Sequence, residues 1–476
     1  MTGNERAFVA WASPEEAGVS SAGLLRFLDE VENNRDRLQF HSLVLLRHGK
    51  TVCRLNWAPY DDLTPHALFS LSKSFCSAAA GFAVAEGLLS WDSPVAEVLA
   101  EDVPDENREE LADITLEHLL CMGSGLDPAS DCPPADFHSS WARHVLSHHV
   151  LHKPMEHFHY NTFGTYLVSC MLQKATGRTV RDYLMPRLFT PLGIEKPDWA
   201  ESPQGVSCGG FGLRLPAEAI ARFGQCLLQR GVWQGRQVLP EGWVERASRC
   251  HIDNSNGHPD PDNEWNQGYG YQFWRCTEGR WRGDGAHGQV CMVDEKNDAV
   301  LAATCETTDM GLEFSLIRRF LFPAFDAAPG TRAEQEAFRK RAEGLGYPVP
   351  TDDGSGVPLP EGTFAPRQEN RYFSSVTLKQ AGEGFITIAL GEGEAVLLGR
   401  GAWHRTEGTD SDAFGLPMTL LGAYGWEQGK LHAVVRCPQD PLTLDLRIRW
   451  EGDRMFMAGY GIDAPGGQLE LIRKPE

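Results

Sequence analysis

From Leu442 to Trp450 the chain alternates apolar and polar residues at every step. Leu442, Leu444, Leu446, Ile448 and Trp450 fall on one side, and Thr443, Asp445, Arg447 and Arg449 on the other. A period of two fits a strand with one buried and one wet face. Glu451-Gly452-Asp453 then turns the chain into Met455-Phe456-Met457, and segments at 385–390, 395–398 and 431–435 share the strand character. Residues 361–476 therefore read as a small antiparallel β-domain, a barrel or a sandwich. No catalytic grouping is visible in it, which leaves it a packing or lid module.

Ahead of it, residues 326–360 are rich in Ala, Pro, Gly and charge and read as a linker, with one short exposed helix from Arg332 to Glu343. Residues 1–325 mix strand and helix signals and read as one α/β domain. Ser21 is the expected N-cap of an amphipathic helix carrying Leu24, Leu25, Phe27, Leu28 and Val31. Two segments flank His48-Gly49-Lys50, which is a hairpin signal, and a second hairpin turns at Asp294–Asp298. A long helical middle separates the two hairpins, so the sheet collects strands from both ends of the domain.

Charge and cysteine usage narrow the class. Forty-four basic against 65 acidic residues leave a net charge of −21, which disfavours phosphate backbones and anionic lipid surfaces. The longest mostly apolar run, Phe75 to Ala85, is too short to span a bilayer. The N-terminus carries Glu5, Arg6, Glu15 and Glu16 and has no apolar h-region, so no leader is expected. The twelve scattered cysteines include no C-x-x-C pair and read as reduced, mostly buried thiols of a cytoplasmic protein.

Three segments carry candidate chemistry. In Phe69-Ser70-Leu71-Ser72-Lys73, Ser70 and Lys73 share one face of a helix start, one turn apart. A buried Lys loses its proton readily and can serve as base to the hydroxyl, while the helix N-terminus favours developing negative charge. The same pair also reads as a plain cap and a snorkelling lysine. His159-Tyr160-Asn161-Thr162 precedes a helical run, and a phenol there becomes a base only if a neighbouring cation lowers its pKa. It also reads as a tyrosine packed at a helix entry. Arg282-Gly283-Asp284-Gly285-Ala286-His287 leads into the last hairpin, where small residues let a substrate approach the backbone, or simply make a turn.

Together these segments resemble the serine β-lactamase and penicillin-binding-protein-like hydrolases, on the class C β-lactamase and esterase side. The resemblance covers about residues 12–322, with further matches at 86–94, 114–126, 178–194, 209–214 and 268–271. It implies an antiparallel sheet flanked by helices plus a helical subdomain. It also implies that Ser70 attacks an acyl carbonyl, that Lys73 and Tyr160 share proton transfer, and that an acyl-enzyme is then hydrolysed. No cofactor or metal is implied.

Two departures stand out. The family's Tyr-x-Asn is here Tyr160-Asn161-Thr162. The third box, commonly Lys-Thr-Gly or His-x-Gly, aligns either with Gly283-Asp284-Gly285, leaving Ala286 as the oxyanion N–H, or with His287-Gly288-Gln289. On the first alignment the box cation is missing unless Arg282 or His287 replaces it. That favours a small ester, amide or peptide substrate over a β-lactam. β-Lactamase or penicillin-binding activity, and a non-catalytic ligand-binding relative, are the alternatives; the oligomeric state is open. The rival class is a metal hydrolase, since His144, His148 and His152 lie at i, i+4 and i+8 and can line one helical face.

Overall fold

The computed structural model describes residues 9–356, 358–370, 373–411, 414–460 and 467–475. The chain divides into two compact units. One is built from residues up to Asn56 together with Asp62–Leu345, the other from Trp57–Asp61 and residues from Gly346 onward.

The first unit holds a six-stranded antiparallel sheet. Its strands are β1 (Leu38–Arg47), β2 (Lys50–Asn56), β3 (Trp274–Arg275), β4 (Trp281–Gly285), β5 (Gln289–Asp294) and β6 (Ala299–Thr307). The order is β2-β1-β6-β5-β4-β3, so the two ends of the unit meet at the centre. The β1–β2 turn is His48-Gly49, both at positive φ (53° and 66°), the conformation that matches the twist of a two-residue hairpin. β5 and β6 are buried along their whole length, as expected of strands covered on both faces.

Helix α1 (Ser21–Asn33) packs Phe27 edge-on against Phe40 of β1. Its N-cap is Ser20, not the expected Ser21, and neither hydroxyl caps it. Glu15 instead accepts from the Ser21 N–H at 2.9 Å. The helical subdomain, inserted between β2 and β3, contains α2 (Ser72–Ala85) packed on α3 (Thr162–Thr176). Helix α4 (Ala217–Leu228) lies on β5 and β6, where Gly224 has room for no side chain against Val300.

Helix α5 (Met310–Leu316) follows β6. The helix expected inside the linker, α6 (Arg332–Glu343), has a Thr331/Glu334 capping box. It packs on α1 with Phe338 buried, and so belongs to the first unit rather than to an exposed connection.

The second unit is a closed barrel. Its strands are β7 (Gly362–Pro366), β8 (Val376–Gln380), β9 (Phe385–Leu390), β10 (Val396–Arg400), β11 (His404–Ser411), β12 (Pro417–Glu427), β13 (Lys430–Cys437), β14 (Leu442–Glu451), β15 (Arg454–Tyr460) and β16 (Leu469–Arg473). Nine of them close the ring, through β7–β16 and a parallel β10–β12 contact; β11 pairs beside β12 outside it. Of the two expected β architectures the barrel is the one formed. Leu446 and Ile448 fill its interior with Leu378, Leu431, Met455 and Met457. The alternation slips at the start of β14, where Leu442 is exposed and Thr443 buried.

All twelve cysteines are free thiols, and only Cys132 and Cys250 are exposed. Among the described residues no helix is long and apolar enough to cross a membrane.

Candidate active site

Ser70 sits in a single 3-10 turn, Phe69–Leu71, that runs directly into α2. Phe69 holds φ at 46°, a conformation that costs a non-glycine residue energy and is retained where the surroundings impose it. One turn on, Lys73 is 1% exposed. Its Nζ lies 3.0 Å from Ser70 Oγ, 3.3 Å from Thr162 Oγ1 and 2.8 Å from the Gly210 carbonyl. Burial pulls the ammonium down to about 7, against the opposing charges of Asp131 and Asp284. Lys73 thus gives up its proton far more readily than an exposed lysine.

Tyr160 reaches the same point from the loop before α3. Lys73 Nζ stands 4.8 Å from the centre of its ring. The ring stacks on Trp274 at 5.3 Å and meets Tyr269 edge-on. The expectation that a cation lowers this phenol is not met. Burial raises it, Asp284 and Asp131 raise it further, and only the hydrogen bond with Ser70 works the other way. Tyr160 keeps its proton at neutral pH.

The two residues after Tyr160 divide their roles. Asn161 is buried and caps α3: its Oδ1 accepts from the Gly164 N–H at 2.6 Å, and its Nδ2 donates to Ser130 Oγ at 2.8 Å. Thr162, one position later, is the residue whose hydroxyl meets Lys73. The shift from Tyr-x-Asn thus puts a hydroxyl where the family pattern has an amide.

Strand β4 passes hard against the nucleophile turn. A Cβ at Gly285 would stand 2.1 Å from the Leu68 carbonyl oxygen, and one at Gly283 would stand 2.3 Å from Ser74 Oγ. Gly285 therefore admits the backbone of the nucleophile turn, and Gly283 the side chains of Ser74 and Leu71, rather than a substrate. The next residue, Ala286, is exposed. His287 and Gly288 form the β4–β5 turn, both at positive φ, and His287 sets its ring edge-on to Phe69 at 5.1 Å.

Arg282 does not supply the cation that the Gly283-Asp284-Gly285 alignment lacks. Strand alternation turns it away from Gly283's face, and it is fully buried between the rings of Trp265 and Phe314 (4.9 and 4.2 Å). Its Nε donates to Asp284 at 2.9 Å and its Nη1 to the Glu264 carbonyl. Asp284 also accepts from Trp265 Nε1.

Several participants were not foreseen. Asp131 takes the Thr162 and Phe163 N–H groups on one oxygen, at 2.6 and 3.0 Å. The Gly210 carbonyl reaches Lys73 because Gly210 lies against Thr162, with no space for a side chain. Gly209-Gly210 was a visible signal, but nothing local linked it to Lys73. The histidine face that the rival metal reading needs does not form. The helix there spans only Trp141–Leu146, so His148 and His152 lie beyond its end. Among the described residues no group of three His, Cys, Asp or Glu side chains is placed to hold a metal.

Comparison with known proteins places the chain in a family. The β-lactamase family model matches residues 31–319. A 6-aminohexanoate-dimer hydrolase from Paenarthrobacter ureafaciens is 24% identical over 313 residues, 61% of this chain and 78% of that protein. The structure of SurE with D-Leu superposes with a TM-score of 0.52 at 16% identity, over 95% of this chain and 99% of SurE. EstCE1, a hydrolase with promiscuous acyltransferase activity, superposes with a TM-score of 0.51 at 16% identity, over 64% of this chain and 99% of its own. The chain belongs to the β-lactamase family of serine hydrolases.

Proposed function

We propose that the protein hydrolyses small linear amides or esters through an acyl-enzyme on Ser70. The observation that carries this reading is the buried Lys73 amine 3.0 Å from Ser70 Oγ, held near neutrality by desolvation. Neutral Lys73 takes the Ser70 proton as Oγ attacks the carbonyl carbon. The Ser70 and Ala286 N–H groups receive the oxyanion. Tyr160, protonated and hydrogen-bonded to Ser70, passes a proton to the leaving amine or alkoxide and is reprotonated from Lys73. Water then enters by the reverse relay and frees the acid.

Two observations favour an amide or ester over a β-lactam. Position 283 is glycine and Arg282 is buried away from it, so neither supplies a cation to a β-lactam carboxylate. The relative from Paenarthrobacter ureafaciens is named for hydrolysis of a 6-aminohexanoate dimer. The test is turnover of p-nitrophenyl acyl esters and small amides by wild type and Ser70→Ala. Loss of turnover in a folded Ser70→Ala protein supports the reading. Full activity without the hydroxyl contradicts it.

A further inference from the structure

Two buried imidazoles tie the segment that enters the nucleophile turn to the six-stranded sheet. Along β1 the register with β6 slips at His41. Phe40 lies opposite Cys305 and Ser42 opposite Thr304, so His41 is the extra residue of a β-bulge. A bulge re-aims its side chain, and bulges gather beside active sites. Here the His41 ring meets His66: its Nδ1 stands 2.9 Å from His66 Nε2, with the ring centres 5.1 Å apart. The two residues are 1% and 2% exposed.

Chemistry fixes the direction of each hydrogen bond. His66 Nδ1 lies 3.0 Å from the Ala67 carbonyl, which can only accept, so that nitrogen carries the proton. Burial lowers the His66 imidazole to about 4; the Ala67 bond opposes this, and the charges of Arg214 and His287 add to it. His66 is therefore neutral at pH 7, its Nε2 accepts, and His41 Nδ1 donates. The far nitrogen of His41, Nε2, faces Glu306 Oε2 at 3.9 Å. A carboxylate behind the donating ring strengthens the bond that ring gives.

The tie acts on the nucleophile turn because the two are joined by a short, constrained stretch of chain. His66 and Ala67 pair with Leu215 and Arg214. Leu68 then donates to the Leu213 carbonyl at 2.9 Å and accepts from the Leu71 N–H at 3.0 Å. Phe69, between Leu68 and Ser70, is the residue held at a φ of 46°. Such a conformation persists only where its surroundings impose it.

We infer that His41 and His66 are positioning residues whose mutual hydrogen bond anchors the strand entering the Phe69–Leu71 turn and so holds Ser70 Oγ within reach of Lys73. This rests on the hydrolase reading above and deepens it. Both rings act through the turn and not on the substrate.

Two substitutions in the full-length protein divide the bonds of His66. His66→Asn keeps a donor for the Ala67 carbonyl and is too short to reach His41. His66→Gln keeps an acceptor near the Nε2 position, within reach of His41. With p-nitrophenyl acetate, kcat of His66→Asn should fall about ten- to hundredfold, as a misplaced reacting group does, with KM little changed. The rate of Ser70 labelling by a fluorophosphonate should fall by the same factor. His66→Gln should stay within about threefold of wild type, the worth of one neutral hydrogen bond. His41→Leu should match His66→Asn, and the double variant should be no worse than either, because the two rings act as one unit. Equal kcat in His66→Asn and His66→Gln, or wild-type kcat in His41→Leu, overturns this inference and leaves the hydrolase reading standing, since a packing role alone lowers the melting temperature without moving kcat. Should the His66 variants not fold, histidine-selective 15N NMR of the wild type decides. A neutral His66 protonated on Nδ1 at pH 7 supports the inference, and any other form overturns it. No Ser70-dependent turnover or labelling in the wild type overturns the hydrolase reading, and this inference with it.

Discussion

Lys73 Nζ and Ser70 Oγ lie 3.0 Å apart, and Lys73 is 1% exposed. The lysine can act as base only while neutral, and burial brings its pKa to about 7. kcat/KM should therefore rise with pH and reach half its plateau near pH 7, because deprotonation creates the active form. Asp131 favours the charged lysine, so Asp131→Asn should move the rising limb to lower pH. A pH–rate profile of both proteins checks the sign. A limb that moves upward contradicts the electrostatic account.

Tyr160→Phe keeps the ring that stacks on Trp274 and removes only the hydroxyl. Loss of a positioned proton donor should lower kcat by about 10²–10⁴-fold. Thermal unfolding should be nearly unchanged. A variant with wild-type kcat shows that the phenol is a packing group.

Asn161 and Thr162 are neighbours with separable effects. Asn161→Ala removes an α3 cap and the partner of Ser130, and should lower stability by about 1–2 kcal/mol. Thr162→Val removes one hydrogen-bond partner of Lys73 and should cost about five- to tenfold in kcat/KM with little change in melting temperature. Chemical denaturation and steady-state kinetics on both variants separate the two. The reverse pattern contradicts the assignment.

These contrasts show what the sequence made legible. Ser70 and Lys73 were visible because their relation is local, one helical turn within a single segment. The alternation of Leu446 and Ile448 was visible for the same reason; the burial of Thr443 was not, because it lies opposite Arg436 of the neighbouring strand, which donates to its hydroxyl. The protonation of Tyr160 was not visible, because Trp274, Tyr269 and Asp284 that set it arrive from more than 100 residues away. Arg282 could be turned from Gly283 by strand alternation alone, but its burial under Trp265 and Phe314 depended on a loop and on α5. The rival reading of His144, His148 and His152 as one helical face needs a helix that continues past Leu146, and the helix ends there.

Gly285→Ala should damage both stability and activity. Its Cβ would meet the Leu68 carbonyl at 2.1 Å, so β4 must move off the nucleophile turn, at a cost of about 1–3 kcal/mol. Gly311→Ala is the control: its nearest neighbour is 3.4 Å away and it should be close to neutral. Melting temperatures and kcat/KM of the pair check this, and equal behaviour of the two contradicts the close approach.

The most direct measurement is the intact mass of the protein after exposure to a fluorophosphonate, wild type beside Ser70→Ala, with the modified peptide mapped. A single adduct on Ser70 in wild type and none in the variant is the predicted result. No adduct on wild type, or the same adduct on both proteins, contradicts Ser70 as the nucleophile.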